Sequence, residues 1–210
     1  SNYFFDDLTP DIEAGVNVAV QQLADRTGAQ LVEVVMPFAD RCLATLFGIA
    51  LPEAASYHSR SLREQPEDYS SDIRLALEAS SLLTADDYIT ALRSRQLICT
   101  SWREVFNQID VLVAPTGPAP ALPVGQESLE WPSGRIESLG EAYSRLTGPA
   151  NLLGFPCVSV PCGLDEDGLP FGIQFLGKSF DDYLVLQVAG VYEALDGWAR
   201  RLPVEPVVSQ

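Results

Sequence analysis

The sequence predicts an α/β protein, and three observations predict it. Stretches with apolar residues at helical spacing alternate with short runs of β-branched and apolar residues. Capping residues, glycines and prolines fall between them as stop and start signals. The 210 residues are 47% hydrophobic and 20% charged, enough to bury a sizeable core and too apolar for global disorder. The length suits one large domain or two small ones.

Taken in order, residues 1–8 read as the end of a strand or a loop. Thr9 and Pro10 then open a helix, as N-cap and first helical residue. Asp11 and Glu13 suit its positive end. Ile12, Val16, Ala19, Val20 and Leu23 recur on one face, and Gly28 stops it. Residues 30–36, QLVEVVM, predict a strand. Residues 38–64 read as helix, ended or kinked at Pro52. A polar break at 65–71 precedes a short helix near 72–82. Thr84, with Asp86 and Asp87 in the first turn, caps a helix of about six turns that reaches Phe106. VLVAP at 111–115 is short and proline-terminated, which predicts a buried strand. Residues 115–137, rich in proline and glycine, predict a long irregular loop. A helical patch runs from Ser138 to about Leu146, followed by a turn-rich passage at 147–156. Strands are predicted at 157–161 and 171–176, with Asp167-Gly168 as the turn signal between them. A last helix is predicted at 181–195, and the tail 202–210 is predicted to fray.

The charge pattern narrows the function. Acids outnumber bases 29 to 13, a net charge of −16. A surface this acidic repels phosphate backbones and anionic membranes, so neither nucleic acid nor membrane is expected as a partner. No apolar run approaches a membrane span, and SNYFFDDL has no signal-peptide character. Twelve of the bases are arginine; Lys178 is the single lysine and His58 the single histidine. That leaves no histidine cluster for a metal and allows one Ser-His-Asp triad at most. His58 sits on a helix beside Ser56 and Ser59, which do not face it, so it reads as a packing residue. Cys42, Cys99, Cys157 and Cys162 form no C-x-x-C pair. Buried free thiols fit them, and with them a reducing, cytoplasmic compartment. Cys157 and Cys162 should point to opposite faces of a strand.

Paired carboxylates do not suggest acid–base chemistry. Asp165, Glu166 and Asp167 read as a turn, and Asp181 and Asp182 as helix caps. Neither phosphate-cradling glycine motif is present. The residues therefore assemble no self-sufficient catalytic apparatus, and no catalytic or metal-binding residue is assigned.

Several passages do resemble a known family. DVLVAPTGPAPALPVG is similar to the D-V-L-x-x-P-T-x-P segment of the amidase signature family. LTGPANLLGFPCVSVPCGLDEDGLPFGIQFLGKSFDDYLVLQVAGVYE resembles its T-x-P-x-N-x-x-G-x-P, V-P-C-G and D-G-L-P-x-G-x-Q passages, with Asn151, Gly154, Pro156, Pro161, Gly163, Gly168, Pro170, Gly172 and Gln174 in place. LPEAASYHSRS resembles its E-A-S-x-Y-H region. The resemblance covers nearly the whole chain, and the order of the motifs makes it specific.

The resemblance implies residues 1–210 as a single domain, the C-terminal part of the amidase signature fold, with a mixed β-sheet flanked by helices. It implies hydrolysis of a carboxylic amide by a serine, a second serine in a cis peptide and a lysine. Those residues belong to a glycine- and serine-rich N-terminal half that this chain lacks. Lys178 does not match the lysine, and an alternative Lys178–Ser179 pair is disfavoured because adjacent strand residues point apart. No cofactor is implied. The implied partners are a small-molecule amide and the N-terminal half; self-association into a homo-oligomer is a further expectation.

Three residues match substrate-contacting positions. Arg95 falls where the amidase subunits of tRNA-dependent amidotransferases hold the substrate carboxylate, although a helix ion pair would equally explain it. Ser144 stands where those relatives carry an aspartate for the substrate ammonium, which argues against free glutamine. Thr116, with the 115–125 loop and residues 147–151, is expected at the entrance. A glutamine-dependent aminoacyl-tRNA amidotransferase subunit is a second reading that the resemblance implies, and a non-catalytic binding module that retains the fold is a third. A divided sheet should also leave an open strand edge and an exposed apolar face.

Overall fold

Three strands form the central sheet of the computed structural model, which describes residues 3–196. β1 (Val111–Pro115), β4 (Cys157–Leu164) and β5 (Pro170–Gly177) lie in the order β1-β5-β4, all antiparallel. Side chains alternate across it. Leu112, Ala114 and Leu176 enter one core with residues of α2 (Cys42–Glu64), α4 (Ala85–Val105) and α5 (Leu139–Leu153). Val160, Ile173 and Phe175 enter a second core with α1 (Pro10–Thr27) and α6 (Asp182–Asp196) on the opposite face. The result is a sheet between two helical layers, as the resemblance implies. The short α3 (Ser71–Ser80) packs against α2.

The capping signals at α4 and α5 hold, whereas Thr9 takes the N-cap position of α1 without a side-chain capping bond. Thr84 and Asp87 form a reciprocal capping box at α4, and Ser138 and Glu141 form another at α5. The β4–β5 turn closes on Asp165, whose Oδ1 accepts from the backbone of Asp167 and Leu169, with Gly168 at φ 80°. β5 carries Phe171 between two glycines. A Cβ at either Gly15 of α1 or Gly163 of β4 would collide with its ring.

Four expectations are corrected. Residues 30–36 are not a strand: no strand lies beside them among the described residues, and Leu31, Val32 and Val35 are exposed while Met36 reaches the core. The second helix begins at Cys42, after a left-handed Phe38 and a 3-10 turn, and continues through Pro52 to Glu64. Burial of Cys42 and Thr45 before the proline and Ala55 after it favours one helix over two. The 115–137 loop contains a small hairpin, β2 (Ser128–Glu130) with β3 (Ile136–Ser138). Finally, α5 does not stop near Leu146 but runs to Leu153, where Gly154 at φ 68° caps it. Pro149 inside this helix cannot donate to the carbonyl of Arg145. The Tyr3 hydroxyl donates to that carbonyl instead, at 2.9 Å. The tail 202–210 lies outside the described residues.

Arg145 itself is buried in α5. Its Nη1 donates to the carbonyls of Tyr3 and Asp6, and its Nη2 to that of Asp7, all at 3.0 Å. Its Nε lies 3.3 Å from Oε1 of the buried Glu137. Glu137 also accepts from Trp131 Nε1 at 3.0 Å and from Arg135 at 2.7 Å. Arg145→Met should therefore cost about 3–5 kcal/mol, because it strands a buried carboxylate and three carbonyls. Arg135→Met, at a half-exposed position, should cost under about 1 kcal/mol. Urea unfolding of the two variants checks the contrast.

Candidate functional site

An open cleft of about 390 Å³ lies where the C-terminal end of β1 meets the start of β5. Its floor is Thr116 and Gly172, its walls the Gly117–Ala121 strap, Tyr143 and Thr147 of α5, and Phe171. The backbone builds it in steps. Thr116 N–H donates to the Gly172 carbonyl at 2.9 Å, which extends the β1–β5 ladder by one residue. The strap is then tied down twice: Thr9 N–H donates to the Pro118 carbonyl at 2.9 Å, and the Tyr143 hydroxyl donates to the Pro120 carbonyl. A satellite core of Ala119, Leu129, Trp131 and Ala142 holds the strap against α5 and the hairpin.

Gln174 fastens the floor from behind. Its buried carboxamide donates to the carbonyls of Pro115 at 2.7 Å and Leu146 at 2.9 Å, and its Oε1 accepts from the Cys157 thiol at 3.3 Å. One side chain thus joins β1, α5 and β4. In front of it, Thr116 Oγ1 and Ser159 Oγ are hydrogen-bonded at 2.6 Å. Gly172 makes this approach possible, since a Cβ there would lie 2.9 Å from Thr116 Oγ1 and 3.1 Å from Ser159 Oγ.

The three positions singled out by sequence lie at different places. Thr116 lines the cleft. Ser144 is half-buried on α5, next to the cleft residue Tyr143 but not itself in the lining. Arg95 lies on the exposed side of α4 and donates from Nε to the Leu152 carbonyl at 2.5 Å, near the C-terminal end of α5. Its guanidinium suits that negative helix end. Ser159 was missed by sequence reasoning; a serine inside CVSVP gives no sign that it faces Thr116 across the floor.

The remaining chemistry-bearing side chains do not converge. Lys178 is exposed and lies 3.5 Å from Asp181. His58 Nδ1 is 3.0 Å from the Tyr69 hydroxyl, a packing contact between α2 and the segment before α3. The four cysteines form no disulfide, with Cys157 on the exposed edge strand and Cys162 in the α1–α6 core. Among the described residues, no three His, Cys, Asp or Glu side chains group as metal ligands. No helix among them is long and apolar enough to cross a membrane.

The comparisons decide the family. The family model described as Amidase matches residues 1–186. The chain belongs to the amidase family. An amidase of Pseudomonas putida is 43% identical over 202 residues, 96% of this chain and 43% of its own length. A glutamyl-tRNA(Gln) amidotransferase subunit from Myxococcus xanthus is 32% identical over 223 residues, 95% of this chain and 44% of its own. A crystal structure of an amidase superposes with a TM-score of 0.85 at 30% identity, covering 92% of this chain and 44% of that one. The chain therefore spans under half the length of the relatives it matches. As an amidase-family chain it keeps the signature positions in structural roles: Gln174 staples the sheet to α5, Gly172 admits the hydroxyl pair, and Gly154 caps α5.

Burial pushes the Cys157 thiol up to about 11, despite its place on the edge strand. Less thiolate forms at a given pH, so iodoacetamide should alkylate Cys157 at pH 8 about two orders of magnitude more slowly than an unperturbed thiol. The rate should rise steeply as pH approaches 11. Mass-spectrometric time courses at both pH values check this.

Proposed function

We propose that this chain is the C-terminal portion of an amidase that hydrolyses a carboxylic amide to an acid and ammonia or an amine. In this reading the nucleophilic serine, the second serine and the lysine are supplied by residues outside these 210. The observation that carries it is the family match over residues 1–186 combined with a single lysine, exposed and paired with Asp181 rather than with a serine. Acyl transfer needs a nucleophile within hydrogen-bond reach of its base. The described residues supply walls for such a reaction and no nucleophile–base pair.

Substrate contacts are assigned to Thr116, Ser144 and Arg95. Thr116 stands on the cleft floor with its hydroxyl toward Ser159. Ser144 borders Tyr143 and offers a small neutral group. Arg95 is pre-oriented by its bond to the Leu152 carbonyl, and its Nη groups carry no hydrogen bond among the described residues. The amidotransferase reading has support in the Myxococcus relative. Ser144 weighs against it, since a hydroxyl does not replace the charge that a substrate ammonium requires.

A polypeptide extended to the length of the relatives should release ammonia from simple carboxylic amides, whereas the 210-residue chain alone should release none. Glutamine should remain at background. Turnover by the short chain would overturn the placement of the catalytic residues. Glutamine-dependent ammonia release by the extended one would favour the amidotransferase reading, and no turnover of any amide would leave a binding module.

A further inference from the structure

Among the polar side chains that line or back the cleft, one hydroxyl pair keeps a donor uncommitted. Gln174 is spent on two carbonyls and a thiol, Tyr143 on the Pro120 carbonyl, and Thr147 Oγ1 on the Tyr143 carbonyl. Thr116 and Ser159 are different. Together two hydroxyls offer two donors and four acceptor lone pairs, and their mutual bond uses one of each. Ser159 is exposed and borders the cleft through its bond to the lining residue Thr116 without lining it itself, so the remaining capacity is reachable from outside at the cleft's edge. The surrounding walls are apolar: Ala119, Pro120, Ala121, Phe171 and the ring face of Tyr143. Phe171 is held between Gly15 and Gly163, and the strap is held by its two backbone ties. The volume lies in the range of small-molecule sites, which pair apolar walls with a few placed polar groups. Among the described residues, no charged one lines the cleft.

We propose that this cleft selects the uncharged body of the amide substrate, with Thr116 and Ser159 together hydrogen-bonding its neutral polar end. Ser159 is then a specificity-determining residue. The proposal rests on the amidase reading for the substrate's chemical class. A carboxylate entering here would lose hydration and meet only hydroxyls, after crossing the field of a chain with net charge −16. An ammonium would be drawn by that field yet find no carboxylate in the lining. A neutral amide loses least on entry and finds both a donor and an acceptor.

Three probes of one shape test this on the 210-residue chain: benzamide, benzoate and benzylammonium, titrated by NMR with the Thr116, Ser159 and Phe171 signals followed. Benzamide should bind at least fivefold more tightly than either charged probe. Ser159→Ala and Thr116→Val, with the fold of each checked by circular dichroism, should each weaken benzamide about fivefold or more, the effect of one lost hydrogen bond. Equal or tighter binding of a charged probe overturns the proposal. So does absence of benzamide binding, or unchanged affinity in both folded variants. The amidase reading fails separately. Benzamide bound at these residues, with no amide turnover by the extended polypeptide, keeps the cleft and removes the enzyme. Turnover whose preference among neutral and charged amides ignores Ser159→Ala keeps the enzyme and removes the cleft.

Discussion

The guanidinium of Arg145 is the constraint around which the N-terminal turn, the hairpin and α5 are arranged. It is buried, so its charge and its donors must find partners inside the protein. Three backbone carbonyls and one carboxylate supply them. The carbonyls of Tyr3, Asp6 and Asp7 can converge because the chain folds into a tight turn there, with Tyr3 at φ 70° and Asp7 at φ 49°. Such left-handed non-glycine residues cost energy, and the guanidinium offsets that cost. Tyr3 returns the contact by bonding the Arg145 carbonyl that Pro149 leaves vacant. A proline that would ordinarily interrupt a helix is thus tolerated because a residue far earlier in the chain completes the missing bond. Burial pushes the Tyr3 phenol well above its ordinary range, against the opposing pull of the Arg145 charge.

The cleft inherits its shape from this centre. Glu137, paired with Arg145, fixes β3, and Trp131 donates to the same carboxylate. Asp7 reaches the hairpin tip through Ser133 and Arg135. The hairpin holds the satellite core, and the satellite core holds the strap that forms one wall. The opposite wall comes from the sheet, through Phe171 between its two glycines. The two walls meet on Gln174, whose carboxamide bonds both the end of β1 and α5. The floor is therefore set by hydrogen bonds that run perpendicular to the strands as well as along them.

Much of this architecture is legible in sequence where the signal is local. Thr84 with Asp87, Gly28 after α1, and Asp165 with Gly168 each specify backbone geometry within a few residues, and the structure places them as read. The strands at 111–115 and 157–161 are legible as short apolar runs ended by proline; β1 then alternates between two cores, and β4 between one core and solvent. Beyond the late start of α2 and the small β2–β3 hairpin, the failures are non-local. Residues 30–36 have strand composition, but a strand exists only with a neighbour, and none lies beside them among the described residues. Pro149 reads as a stop until Tyr3 is known to lie above it. Arg145 and Glu137 look like ordinary surface charges, and no spacing rule joins a helix arginine to a hairpin glutamate and a distant turn. Of the site, Thr116 was legible from motif order. Ser159 was not, because its role depends on a glycine in a third segment.

The distribution of committed and uncommitted polar groups separates structural from chemical residues. Inside, nearly every polar side chain has a partner: Thr45 with Ser94, Trp102 Nε1 with the Pro37 carbonyl, Gln174 with its three. Buried Thr9 Oγ1 is an exception, and so is Nε of Arg145, which is ion-paired with Glu137 but makes no hydrogen bond. An interior satisfied in this way contributes stability and uniqueness but has no capacity left for a ligand. Capacity remains on one side of the molecule, where β4 is paired only with β5 among the described strands and shows Cys157, Ser159 and Pro161 to solvent. There the thiol is held by Gln174 and the proline has no donor, so the hydroxyl of Ser159 is the group on that edge that can answer a ligand. The same geometry that saturates the core thus concentrates hydrogen-bonding capacity at one position, beside a cleft whose walls carry no charge.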